Sequence, residues 1–167
     1  MLAILILVFG VFSRLLIHLP NFTPAIALAL FGGVYLKKQQ AIILPVLMMI
    51  IADVFIGIDV TFPFTWGSVA LIALLGLGVR NHKSFSSIAG SSLFSAVLFF
   101  LVTNFGVWAV QNMYPHTLAG FIECYVMAIP FFGSTLVSTV VYTAVLFGGY
   151  EWAAARFQRT GLAHIVL

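Results

Sequence analysis

The sequence predicts an all-α fold, a polytopic membrane helix bundle of about six transmembrane helices plus a short outer half-helix, in a single domain over residues 1–167. Three observations point there. The chain is 63% hydrophobic and 7% charged, with a mean hydropathy of +1.19, whereas soluble domains hold about 25% charged residues. Long apolar stretches alternate with short connections. Six of the 7 Lys and Arg residues fall in three clusters, Lys37-Lys38, Arg80 with Lys83, and Arg156 with Arg159. The intervening connections, Pro20 to Pro24, Asp59 to Trp66 and Gln111 to Thr117, carry neither Lys nor Arg. Lys and Arg resist translocation, so alternating basic and non-basic connections predict a multi-spanning protein with both termini cytoplasmic.

A helix crossing a bilayer needs about 20 residues, fewer where neighbours or local thinning compensate. The first segment, residues 2–19, has no basic leader and no small-residue cleavage site before Arg14, so it reads as a retained helix and not as a signal peptide. Residues 24–36 and 65–80 are short for free-standing spans and are expected inside the bundle. Residues 39–58 and 86–110 have full spanning length. The stretch 117–129 is apolar but too short to cross; with Thr117 as N-cap and Pro130 as terminator it reads as the outer half-helix. Residues 130–156 form the last span.

Small residues recur at helix-packing spacing. Ala25, Ala29 and Gly33 make one stripe on the second helix, and Ser87, Ser91 and Ser95 another on the fifth. Such stripes let helix backbones approach closely in lipid. They serve either packing within the bundle or docking of a partner membrane protein.

The polar residues are few enough to be taken singly. Arg14 would cost about 2.5–3.5 kcal/mol in hydrocarbon unless it were paired or wet. It lies about 18 Å along the first helix from its inner end, and Asp53 about 21 Å along the third. Similar depth in the outer half of the membrane makes each the expected partner of the other, either as a structural ion pair or as the floor of an outward-facing cavity. Asn21, Trp66, Asn104, Trp108, Tyr114 and His116 gather on the outer side with Phe22, Phe62, Phe64, Gln111 and Asn112. An interfacial aromatic belt explains several of the rings. A buried amide beside a ring, as at Asn104 and Trp108, is instead a specificity element of a small-molecule pocket. His18 reads as an interfacial anchor, and His82 and His164 as surface residues. Cys124 is a lone cysteine, which excludes an internal disulfide. It reads either as inert packing or as a ligand to the metal of a bound cofactor such as a corrinoid.

Several classes are excluded. A net charge of +3 spread over three loops makes no nucleic-acid-binding face. HExxH, GxSxG and GxxxxGK[ST] motifs are missing, as is any carboxylate run suited to a metal, so no enzyme and no cofactor is expected and an ATP-driven step would come from a partner.

The stretches Pro20-Asn21-Phe22-Thr23-Pro24 with AIALALFGG (25–33), VTNFGVW (102–108), Tyr114-Pro115 with Thr117 to Gly120, and CYVMAIPFF (124–132) resemble a bacterial family of uncharacterised membrane transport proteins. That family is similar in size and layout to the S-components of energy-coupling-factor (ECF) transporters. The resemblance implies a substrate-capturing subunit of the bacterial cytoplasmic (inner) membrane, taking up a vitamin or similar micronutrient. Its substrate would be held by the loops between helices 1–2, 3–4 and 5–6, which here are the three non-basic connections. It also implies a small-residue face docking a transmembrane coupling protein joined to ATPases, with Ala25, Ala29 and Gly33 as the matching stripe, although here that stripe is on the second helix and not the first.

The leading expectation is therefore a substrate-binding membrane subunit without its own ATPase. Its small-molecule pocket would be lined by Asn21, Trp66, Asn104, Trp108, Tyr114 and His116. The alternative is a small structural or accessory subunit of a larger membrane complex with no ligand of its own. A membrane enzyme acting through His116, Glu123 and Cys124 is a third reading.

Overall fold

The computed structural model describes residues 2–16 and 21–158. The described residues form six helices, α1 (Leu2–Leu16), α2 (Ala25–Tyr35), α3 (Lys38–Ile56), α4 (Phe62–Val79), α5 (Phe85–Val110) and α6 (Leu118–Gln158). Four of them, α3 to α6, are long and apolar enough to cross a membrane. His18, Pro20, Arg159 and His164 lie outside the described residues.

The centre of the bundle is α2. All of Ala25 to Val34 is buried, and α1, α3, α4, α5 and α6 all pack against it. A helix apolar around its whole circumference has no face to offer water and is stable only when surrounded. At 11 residues it is about 16 Å long, half a hydrocarbon core. The other helices carry the outer surface: Leu5 and Phe12 of α1, Phe55 of α3, Phe94 of α5 and Val145 of α6 are all exposed. Surface leucine, valine and phenylalanine on this scale fit contact with lipid.

Two overturned expectations concern this core. The Ala25, Ala29 and Gly33 stripe is no outward docking face: Ala25 is 2% and Ala29 0% exposed, and Gly33 is buried as well. A Cβ built on Gly33 would stand 2.4 Å from the Ala73 carbonyl oxygen and 2.7 Å from the Cα of Gly76. Only glycine on both helices permits this approach, and the stripe is consumed by internal packing. Nor is the half-helix at 117–129 a separate element, because α6 runs unbroken through Pro130 over 41 residues. Proline removes one backbone hydrogen bond and costs about 3 kcal/mol in a helix. Ending the helix inside lipid would strand a whole turn of carbonyls and N–H groups where no water can take them. Continuation is the lesser cost. Thr117 does cap the helix, accepting from the Gly120 N–H at 3.2 Å.

The connections sort to the two ends of the bundle. At one end Arg80 donates from Nη2 to the Gly33 carbonyl at 2.8 Å and also to that of Leu36, so it caps the C-terminus of α2. Lys83 sits 4.7 Å over the Tyr35 ring, whose hydroxyl donates to Glu151 of α6. The Lys37-Lys38 and Arg80-Lys83 connections and the Glu151 turn of α6 thus lie at one end of the bundle. At the other end Gln111 donates to Asp59 at 2.7 Å, joining the 57–61 and 111–117 connections.

Candidate functional site

The polar interior lies towards the non-basic end. Near the C-terminus of α1, Arg14 reaches α3: its Nη2 donates to Asp53 Oδ1 at 2.5 Å and its Nη1 faces the Met49 sulfur at 3.3 Å. The two charged side chains are only 17% and 12% exposed. Trp66, entering from the first turns of α4, donates its indole N–H to the second Asp53 oxygen at 2.7 Å, and its ring packs on Phe62 at 4.5 Å. Both carboxylate oxygens are therefore satisfied, which a buried charge requires.

Beside this triad lies a cavity of about 550 Å³, lined by Arg14, Leu15, Asn21, Thr23, Ile26, Phe55, Ile56, Phe99, Thr135 and Ser138. A second lobe of about 360 Å³ shares Arg14, Asn21, Phe99 and Thr135 and adds Thr65, Thr103, Asn104, Val107 and Phe132 among its walls. Small-molecule sites fall in the range of roughly 300–1,000 Å³ and set a few polar groups in an apolar wall, as here. Asn21 holds a left-handed backbone, φ 57°, a conformation asparagine tolerates better than most residues. Its carbonyl accepts from the Ser138 hydroxyl at 3.4 Å, which ties the connection before α2 to α6.

Of the residues expected to line a pocket, the structure brings Asn21 and Asn104 together with Arg14. Trp66 stands behind the ion pair as the partner of Asp53. Trp108, Tyr114 and His116 do not line this cavity. Trp108 turns outward to donate to the Pro115 carbonyl at 3.1 Å and meets His116 and Phe121 edge-on at 5.5 and 5.3 Å. Tyr114 and His116 line a separate shallow depression with Asn112, Met113 and Pro115. The reason is helical phase: Phe99, Phe100, Thr103, Asn104 and Val107 make the cavity-facing side of α5, and Trp108 falls just past its edge.

Cys124 is buried, with its sulfur directed at the Asn104 carbonyl at 3.5 Å, and neither lobe includes it. Glu123 is exposed on the adjacent face of α6, so His116, Glu123 and Cys124 do not converge. Among the described residues no three His, Cys, Asp or Glu side chains are placed to hold a metal ion.

Composition alone hid part of the lining. Thr65, Thr103, Thr135 and Ser138 are ordinary residues in apolar helices. Their visible signal was Thr135 and Ser138 three apart on α6, a spacing that puts both on one face.

Residues 1–160 match a family of unknown function (DUF6580), and the chain belongs to that family. No curated protein and no solved structure matches it.

Proposed function

We propose that this member of the DUF6580 family captures a small polar molecule from the outer side of a bacterial cytoplasmic membrane for uptake, as an ECF S-component does. The substrate class would be a vitamin or similar micronutrient, and energy would come from a partner ATPase. The observation that carries this reading is the cavity of about 550 Å³ beside the Arg14–Asp53 pair, which sets several polar groups in an apolar wall. A purely structural subunit has no use for such a void, since an unfilled cavity weakens packing. The clustering of Lys and Arg at the opposite end supports an orientation with both termini cytoplasmic and the cavity outward. The docking face for the coupling partner is not the α2 stripe, which is interior.

The test is native mass spectrometry of protein purified in mild detergent, with Thr135→Phe as the control that fills the cavity. A small molecule released from wild type and absent from the variant is the expected result. A ligand-free wild type that travels with a stoichiometric membrane partner would instead support the accessory-subunit reading.

A further inference from the structure

We infer that the captured molecule is a monocarboxylate carrying N–H or O–H donors along its length, held at its anionic end by Arg14; this rests on reading the cavity as a binding site. The argument is one of donors and acceptors. A guanidinium has five N–H groups and no acceptor. In Arg14, Nη2 engages Asp53 and, among the described residues, Nη1 meets a thioether sulfur, a weak acceptor, at 3.3 Å. Its Nε is buried and has no hydrogen-bond partner among the described residues. Asp53, by contrast, has a donor on each oxygen, from Arg14 and from Trp66. The pair is therefore donor-rich on the arginine side and saturated on the aspartate side.

Position adds sign to this surplus. Arg14 lines both lobes of the cavity, and Asp53 lines neither. Among the described residues Arg14 is also the one charged residue in either lining. A ligand thus meets the cation first, with its counter-charge set behind it, and an anionic oxygen group is what such a wall recognises. With one cation present, a carboxylate matches better than a phosphate, which carries about −1.5 to −2 charges.

The walls contributed by α5 and α6 have the reverse polarity. The hydroxyl protons of Thr103 and Thr135 go to the carbonyls of Phe99 and Phe131, at 2.8 and 3.3 Å. That of Ser138 is shared between the carbonyls of Thr135, at 3.0 Å, and Asn21, at 3.4 Å. Asn104 spends one of its two amide N–H groups on the Phe100 carbonyl at 2.8 Å. What the hydroxyls leave for a ligand is oxygen, so they accept, and Asn104 adds its amide oxygen beside one remaining N–H. A molecule complementary to the whole cavity accepts at one end and donates along its flank.

The experiment is a thermal-shift screen of the full chain in mild detergent, using amino- and hydroxy-substituted heterocyclic monocarboxylic acids, each beside its methyl ester. The expected result is an acid that stabilises wild type while its ester does not. In Arg14→Gln with Asp53→Asn, which leaves no charge uncompensated, affinity for that acid should fall at least tenfold. Equal stabilisation by acid and ester overturns the inference with no variant needed, and so does unchanged affinity in the double variant. If no acid binds while wild type still releases a neutral molecule that Thr135→Phe loses, the carboxylate assignment fails and the capture reading stands. If no acid binds and no molecule is released, both fail.

Discussion

Gly33 of α2 and Gly76 of α4 meet backbone to backbone. A Cβ on Gly76 would lie 2.5 Å from the Leu30 carbonyl oxygen, and one on Gly33 would lie 2.4 Å from that of Ala73. Neither obstacle is a side-chain tip that can swing away. Either Gly33→Leu or Gly76→Leu must separate the two helices, at about 3 kcal/mol or more given the usual range for overpacking. Gly78→Ala, at a position with nothing within 4 Å, is the control and should be neutral or slightly stabilising. Thermal unfolding in detergent distinguishes the two outcomes, and a near-wild-type midpoint for Gly33→Leu would mean that α2 and α4 do not touch there.

The Arg14–Asp53 pair gives a second prediction. Asp53→Ala leaves a guanidinium uncompensated in a setting where its side chain is only 17% exposed. Loss of one partner of a buried pair costs about 3–5 kcal/mol. Replacing both, as Arg14→Met with Asp53→Leu, removes the charges together and should recover most of that loss. The sign of the difference between single and double variants, read as folded yield and thermal midpoint, checks the assignment.

At the basic end Arg80 joins α4 to the C-terminus of α2 through the carbonyls of Gly33 and Leu36. Hydrogen bonds from a charged donor are worth roughly 1.5–3 kcal/mol, and the partial exposure of Arg80 places it near the lower figure. Arg80→Ala should lower stability by about 1.5 kcal/mol while leaving the distant cavity able to bind. Parallel unfolding and ligand-retention measurements test both halves of that statement.

Orientation is open to chemical labelling. Cys124 is the one cysteine of the sequence and is buried, so Cys124→Ser provides a silent background. A cysteine in place of Asn112, exposed in the connection before α6, should react with an impermeant maleimide on intact cells. A cysteine in place of Gln39, exposed at the start of α3, should react only after permeabilisation. The reverse pattern would place the cavity on the cytoplasmic side.

How much of this could be read from residue order alone varied by element. Helix ends set by glycine, serine and proline came within a few residues: α3 stops at Gly57, with φ 119°, and α5 begins at a Ser84 cap. Proline was the misleading case, because its meaning depends on the solvent. In water Pro130 would end a helix; in lipid the ended helix is worse than the kept one. Within the site, counting depth along two helices was enough to set Arg14 beside Asp53. Counting could not tell which side of α5 faces inward, and so Asn104 and Trp108, one turn apart, were expected together and are separated. Rotation about a helix axis is set by neighbours from elsewhere in the chain, and no local pattern encodes it when the helix is apolar on every side.

The burial of α2 bears on how the chain enters the membrane during synthesis. At 11 residues it is too short to hold itself across the hydrocarbon, and the helices that enclose it are made mostly afterwards. Its enclosure is complete only once α6 is in place, since α6 packs against it. In chain order, an early segment therefore has its packing finished by the last helix. A chain stopped before α6 would leave that side of α2 uncovered.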